Sequence, residues 1–275
     1  MNNLRTALTA ALVIFLAAAC GSNDRSGTPA PSPHNETTPA PNVTRSLNTP
    51  APAPSTTRTA VKPLPFNAGG LLTGTASPSL PDGEPGKVSV VQIGALFKDG
   101  ADATLLPFAF RNNTGAGISA VQWTGTARSG GSLVGTGGSK GATTPAEIQP
   151  GEIGLAFIYF GRAKIPPEDV DYALTVSTSP VNRAPTSKAP LKVTEANVSG
   201  DAIVGAAVNA TGKPLNGPFD AEVWCFDGDK LLTNTGDPAD QNGPIAPDGQ
   251  VTFSVPLHDR YCPTFTVGVE GFYGD

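Results

Sequence analysis

Phe108-Ala-Phe-Arg-Asn-Asn-Thr-Gly115 and Ile203-Val-Gly-Ala-Ala-Val-Asn-Ala-Thr-Gly212 decide the fold of this chain. Each is an apolar run that stops at an Asn-x-Thr-Gly turn, and the two lie about 97 residues apart, which marks an internal repeat. The segments downstream of each run recur in the same order. Val121-Gln-Trp-Thr-Gly-Thr-Ala127 parallels Phe219-Asp-Ala-Glu-Val-Trp-Cys225, and a turn comes next, Ser129-Gly-Gly131 or Asp227-Gly-Asp229. Ile148-Gln-Pro-Gly151 then matches Ile245-Ala-Pro-Asp-Gly249, and each copy closes on an alternating strand at 172–176 or 265–269. Val, Thr, Phe and Ile recur in short runs broken by Gly, Pro, Asn and Asp, and no helical period of useful length occurs. A unit of roughly 90–100 residues with about seven short strands is the size of an immunoglobulin-like sandwich. The expected fold is therefore all-β: two tandem immunoglobulin-like antiparallel β-sandwiches, at 82–182 and 190–275, with the boundary in the polar, proline-rich stretch 179–190.

The second copy resembles the small exported β-sandwich modules called FxLYD-type domains. The resemblance rests on Val204 to Gly212, on Cys225-Phe-Asp-Gly-Asp-Lys230 where that family has a Leu-Tyr-Asp strand end, and on Ile245-Ala-Pro-Asp-Gly-Gln-Val-Thr-Phe253. It covers most of 191–275 and implies a non-enzymatic extracytoplasmic module. The first copy departs from the pattern, with Thr-Ala-Arg in place of Cys-Phe-Asp.

Ahead of both copies, Leu8 to Ala19 is an uninterrupted, mostly apolar stretch running into Cys20-Gly21, with Arg5 the one nearby charge. As a helix it would span about 18 Å, well short of a ~30 Å hydrocarbon core. The residues resemble a lipoprotein signal peptide, with Leu16-Ala-Ala-Ala-Cys20 as the lipobox. That resemblance implies cleavage before Cys20, acylation of its sulfur and anchoring by palmitate-type chains. The expected location is the extracytoplasmic side of a membrane, the outer membrane included if the host has two. Residues 20–81 are rich in Pro, Thr, Ser and Ala, as in Thr49-Pro-Ala-Pro-Ala-Pro54, and read as a disordered tether.

Charged residues make up 15% of the chain and the formal net charge is −5, with no basic stripe to neutralise phosphates, so no nucleic-acid partner is expected. Of the two histidines, His34 lies in the tether, so any His-dependent dyad in the folded part would run through His258. No Gly-x-Ser-x-Gly elbow, phosphate-binding Gly loop or His-Glu-x-x-His helix occurs. No catalytic residue, cofactor or metal is expected. Asp227, Asp229, Asp237 and Asp240 form an acidic cluster, but Asp-Gly is first a hairpin turn signal. With Cys20 assigned to lipid, Cys225 and Cys262 remain, and a disulfide between them is the expected state. A metal site is the alternative, with His258 completing no more than three ligands.

Two expectations concern surfaces. Ile153-Gly-Leu-Ala-Phe-Ile-Tyr-Phe160 is apolar on both faces, which calls for a second cover beyond its own core. That cover is either the second sandwich, packed against the first, or residues 64–80 with Leu64, Phe66, Leu71 and Leu72. In the second copy Phe219, Ala221, Val223 and Cys225 alternate with Asp220, Glu222, Trp224 and Phe226. If Cys225 points inward, Trp224 and Phe226 stand on the outer face, where they are either candidate partner-binding anchors or, for Trp224, covered by a neighbouring strand or by its own loops. The expected function is a membrane-anchored, non-catalytic module that presents its sandwiches to a protein or cell-envelope partner. The alternative is a solute- or glycan-binding lipoprotein with a groove between paired sandwiches, and an envelope enzyme comes third.

Overall fold

The computed structural model describes residues 61–166 and 168–275, all of them in one compact unit. Cys20 and most of the tether lie outside the described residues. Among the described residues the first strand is β1 (Thr73–Gly74). The first sandwich holds β2 (Val88–Ile93), β3 (Phe97–Lys98), β4 (Thr104–Asn112), β5 (Ile118–Ser129), β6 (Ser132–Gly138), β7 (Thr143–Thr144), β8 (Ile153–Tyr159) and β9 (Val170–Pro180). The second holds β10 (Lys188–Ser199), β11 (Ala202–Val208), β12 (Leu215–Asp227), β13 (Lys230–Pro238), β14 (Gln250–Pro256) and β15 (Thr264–Tyr273). No helix occurs among the described residues, and every strand pair is antiparallel.

Each copy is one curled sheet folded on itself. In the first the order is β2-β4-β8-β6-β5-β9, and a single pair, Gly138 with Tyr159, links the leaf β2-β4-β8 to the leaf β6-β5-β9. In the second the order is β13-β12-β15-β10-β11-β14. Here β10 pairs with β15 through Leu191, shifts register between Val193 and Glu195, and runs on beside β11. Such a bulge lets a strand turn from one leaf to the other.

The repeat is visible atom by atom. Asn112 accepts the backbone N–H and hydroxyl of Thr114 on Oδ1 and donates to the carbonyls of Ala116 and Ile148. Asn209 does the same with Thr211, Lys213 and Ala246. Both asparagines are buried, and their amides satisfy carbonyls that a tight turn would otherwise leave unpaired. The bridges Ile118–Ile148 and Leu215–Ile245 close the two copies in the same way.

Each sandwich has its own core. Phe108, Phe110, Trp123 and Ile158 centre the first, with Trp123 5.0 Å from Phe108 and 5.1 Å from Phe110. Phe219, Val223, Phe253 and Val267 centre the second, where Cys225 joins Cys262 at 2.03 Å.

A third apolar cluster lies between them. Ala109, Ile153 and Leu155 of the first copy meet Trp224, Phe226 and Leu231 of the second, with Phe66, Ala76, Leu80, Val91 and Phe157 around them. The outer face of β2-β4-β8 thus packs on the outer face of β13-β12-β15. This explains why β4 and β8 are apolar on both sides, whereas β14, the counterpart of β8, alternates buried with exposed residues. Both covers anticipated for residues 153–160 are present together.

The tether therefore ends earlier than residue 81. Residues 61–81 form a strap along the junction. Thr73 and Gly74 pair with Val267 and Thr266 of β15, and Leu71 accepts the N–H of Val193. Gly268 beside it has no space for a side chain, because a Cβ would collide with Thr144 and Leu72. Composition alone reads 20–81 as tether, whereas the apolar residues within 64–80, already a candidate cover for 153–160, anchor the strap once a groove exists to receive them.

Arg111 fixes the other end. It is buried, and its guanidinium donates to the carbonyls of Leu64, Leu80, Pro81 and Gly151. Burial pulls its pKa below the usual arginine value, and Asp82 opposes that shift. Arg111→Met would keep much of the bulk and strand the carbonyls of Leu64, Leu80 and Pro81, at about 1–3 kcal/mol for each group left unpaired and dry, while Gly151 keeps the N–H of Leu64. Limited proteolysis is expected to cut the Arg111→Met chain within 61–81 while the sandwiches stay intact. Equal resistance of both chains would show that the strap does not depend on this residue.

Candidate functional site

Polar contacts lock the two sandwiches at fixed points around the apolar junction. Gln92 mimics a strand, donating to the carbonyl of Asp229 and accepting the N–H of Leu231. Glu147, buried in the first copy, accepts from Arg183 at 2.9 Å and from the hydroxyl of Tyr273 at 2.7 Å. Burial, then the bond to Glu147, push the Tyr273 phenol well above its ordinary range.

Beyond the Trp224 end of the junction the two surfaces part and leave a cleft of about 480 Å³. Phe97, Asp99, Lys140 and Phe157 of the first copy form one wall. The second copy supplies the floor, from Asp220, Glu222, Asn234, Glu270 and Lys188, and a rim with Asp237, His258 and Arg260.

Strand register explains why these groups converge. On β12, Asp220 and Glu222 follow the same alternation as Trp224 and so share its outer face. Asp220 pairs with Glu270 of β15, and Trp224 pairs with Asn234 of β13. The outer leaf of the second sandwich is thus apolar where the first sandwich covers it and charged where the cleft begins.

Asn234 donates to Oε1 of Glu222, and Lys188 forms an ion pair with Oε1 of Glu270. The Glu222 carboxyl is raised from its ordinary 4.5 to about 7: burial does most of this, the charges of Glu270 and Asp220 add to it, and the hydrogen bond from Asn234 and the charge of Lys188 oppose it. Glu270 is also raised, by burial first, with Lys188 opposing. Lys140 sits over the ring of Tyr159 at 3.6 Å and Arg260 over that of Phe97 at 5.6 Å.

A raised carboxyl pKa means that the folded chain holds the proton longer than the unfolded chain does. Glu222 therefore contributes stability that is full below about pH 4.5 and lost as pH rises through about 7. Urea midpoints at pH 5 and pH 8 should differ more for the native chain than for Glu222→Gln, and the variant should be the more stable at pH 8. An unchanged pH dependence in the variant would assign the effect elsewhere.

The expected anchors Trp224 and Phe226 are not on this surface, or on any other. Both are fully buried, with Trp224 6.5 Å from Phe157 and Phe226 edge-on to Phe66 at 5.9 Å. They do face away from their own core, as the alternation required, but the first sandwich and the strap cover that outer face. Of the acidic cluster, Asp227 and Asp229 flank the β12–β13 turn, Asp229 accepts from the N–H of Ser79, and Asp240 accepts from Thr252. Only Asp237 reaches the cleft. Among the described residues no group of three His, Cys, Asp or Glu side chains is placed to hold a metal ion. The sequence pattern put Asp220 and Glu222 on the same face as Trp224. Lys188, Asn234, Arg260 and Glu270 carried no local signal, because each comes from a different segment of the chain.

Compared with known proteins, the chain matches no family model and no curated protein. The site is defined by its own geometry: a cleft between two locked β-sandwiches, lined by charged groups from both.

Proposed function

We propose that this chain is an exported, lipid-anchored, non-catalytic binding protein that holds a small polar ligand between its two sandwiches. One observation carries the binding part of this reading: the cleft of about 480 Å³ with charged side chains on a rigid floor. Ligand pockets fall in the range of roughly 300–1,000 Å³ and favour domain interfaces. Locking the sandwiches through Gln92, Glu147 and the apolar junction preorganises the cleft, which lowers the cost of ordering it on binding. The same burial removes Trp224 and Phe226 as anchors for a protein partner and so favours the cleft over an exposed docking face.

Anchoring rests on Leu16-Ala-Ala-Ala-Cys20 and accords with a disulfide in the folded part. Mass spectrometry of the mature N-terminus should find a diacylglyceryl group on Cys20, and Cys20→Ala should accumulate unprocessed. Equal processing of both chains would remove the anchor. For binding, the unfolding temperature of the full chain in detergent would be followed against amino acids, amines, oligosaccharides and nucleosides. At least one class should raise it in a saturable way that Asn234→Leu abolishes. A panel with no such response would overturn the binding reading.

A further inference from the structure

The floor of the cleft carries three carboxylates on one face of one leaf: Asp220 and Glu222 from β12, and Glu270 from β15 opposite Asp220. Lys188 is their one ion-pair partner among the described residues, and it engages a single oxygen, Oε1 of Glu270. The other oxygen, Oε2, is buried with no hydrogen-bond partner. Asn234 repeats the pattern. Its side chain lines the cleft, the residue is 4% exposed, its amide nitrogen serves Glu222, and its Oδ1 has no partner. Both orphans at the floor are acceptors, whereas the orphan at the rim, Nη1 of Arg260, is a donor; a buried acceptor left unpaired costs about 1–3 kcal/mol. A ligand that relieves them must bring hydrogen-bond donors.

Charge narrows the class. A donor that enters among three carboxylates with one lysine gains more if it is positive. The other basic groups lining the cleft, Lys140 and Arg260, stand over the rings of Tyr159 and Phe97 and, among the described residues, form no ion pair with these carboxylates. A metal ion is disfavoured on geometry, because no three of the carboxylates converge closely enough to ligate one. A compact ammonium has three donors and tolerates a looser ring of acceptors.

We propose that the cleft takes an organic cation, with a primary ammonium group seated among Asp220, Glu222, Glu270 and Asn234. The proposal rests on the binding reading above and names its ligand class. Phe97 and Phe157 on the facing wall then border the methylene part of such a ligand.

Isothermal titration of the full chain in detergent tests this, with putrescine and spermidine as probes, 1,4-butanediol as the uncharged counterpart and maltotriose as a neutral polyhydroxylated control. The amines should bind saturably at one site and the diol should not. Asp220→Asn with Glu270→Gln should weaken amine binding at least tenfold, whereas Glu84→Gln, an exposed acid outside the cleft, should leave it unchanged. Unfolding midpoints of each variant control for folding. Should the double variant fail to fold, amide resonances of Thr235 and Gly236 in the native chain should shift on titration with spermidine. Amine binding that survives both cleft substitutions, or spermidine shifts that avoid the cleft, would overturn the proposal. Maltotriose binding in the cleft without amine binding would overturn the cation class and leave the binding reading standing. No binding by any probe, together with a silent wider panel, would overturn both.

Discussion

A Trp224→Ala chain is expected to lose about 3–5 kcal/mol of folding free energy, the usual cost of deleting a fully buried large aromatic. That loss is of the order of the whole stability of a modest domain, ~5–15 kcal/mol. It should fall on the junction rather than on either core. Trp224 touches the cluster that joins the sandwiches, while Phe219, Val223 and Cys225 on the opposite face of β12 hold the second core. Urea unfolding should therefore change from one transition to two as the sandwiches uncouple. Trp224→Phe should cost much less, since a ring remains and the indole N–H, buried without a partner, is removed. In a Trp123→Phe background, emission from Trp224 should be blue-shifted and shielded from iodide. Ready quenching, or a Trp224→Ala loss below about 0.5 kcal/mol, within the range of ordinary surface substitutions, would mean that the sandwiches do not bury this residue.

Loss of the Cys225–Cys262 bond should have an effect of similar size on the second sandwich. The two cysteines are 37 residues apart, and the chain-entropy relation gives roughly 3.5–4 kcal/mol for closing such a loop. The bond ties the end of β12 to the loop entering β15, two strands that already pair along their length. For the compact unit that the two sandwiches form together, each kcal/mol shifts the unfolding temperature by about 2–4 °C. Cys225→Ala with Cys262→Ala should then unfold about 7–16 °C lower. The first sandwich has no such bond, so hydrogen exchange should rise first in the second copy. A midpoint that does not move under reductant would show that pairing and packing alone hold this end of the sheet.

The two effects differ in how far each could be read from the sequence. The pairing of Cys225 with Cys262 needed only a count, since reading Cys20 as the lipidated residue leaves two. The sandwiches were equally legible, because an apolar run ending in Asn-x-Thr-Gly is a local signal and occurs twice. Alternation along 219–226 placed Phe219, Ala221, Val223 and Cys225 inside, and it placed Trp224 and Phe226 on the outer face. It could not say what covers that face. The equivalent strand of the first copy, β5, carries Gln122, Thr124 and Arg128 outward and stays exposed there. The contrast between the two strands held the information, but only as half of a pair whose other half was 153–160.

Local sequence was enough for the class of fold, the repeat, the position of the disulfide and the need for a second cover over β8. The fold class and the need for a cover follow from signals within one strand or turn, where backbone pairing and side-chain alternation act over a few residues; the repeat is such a signal met twice, and the disulfide follows from a count of cysteines. Packing between the sheets settled the rest: residues 61–81 are a strap, Trp224 is interior, and Lys188, Asn234, Arg260 and Glu270 meet Asp220 and Glu222 in a cleft. Burial of a residue on an outer face depends on which other surface reaches it. A site built from widely separated segments exists only once two sheets have chosen the faces through which they pack.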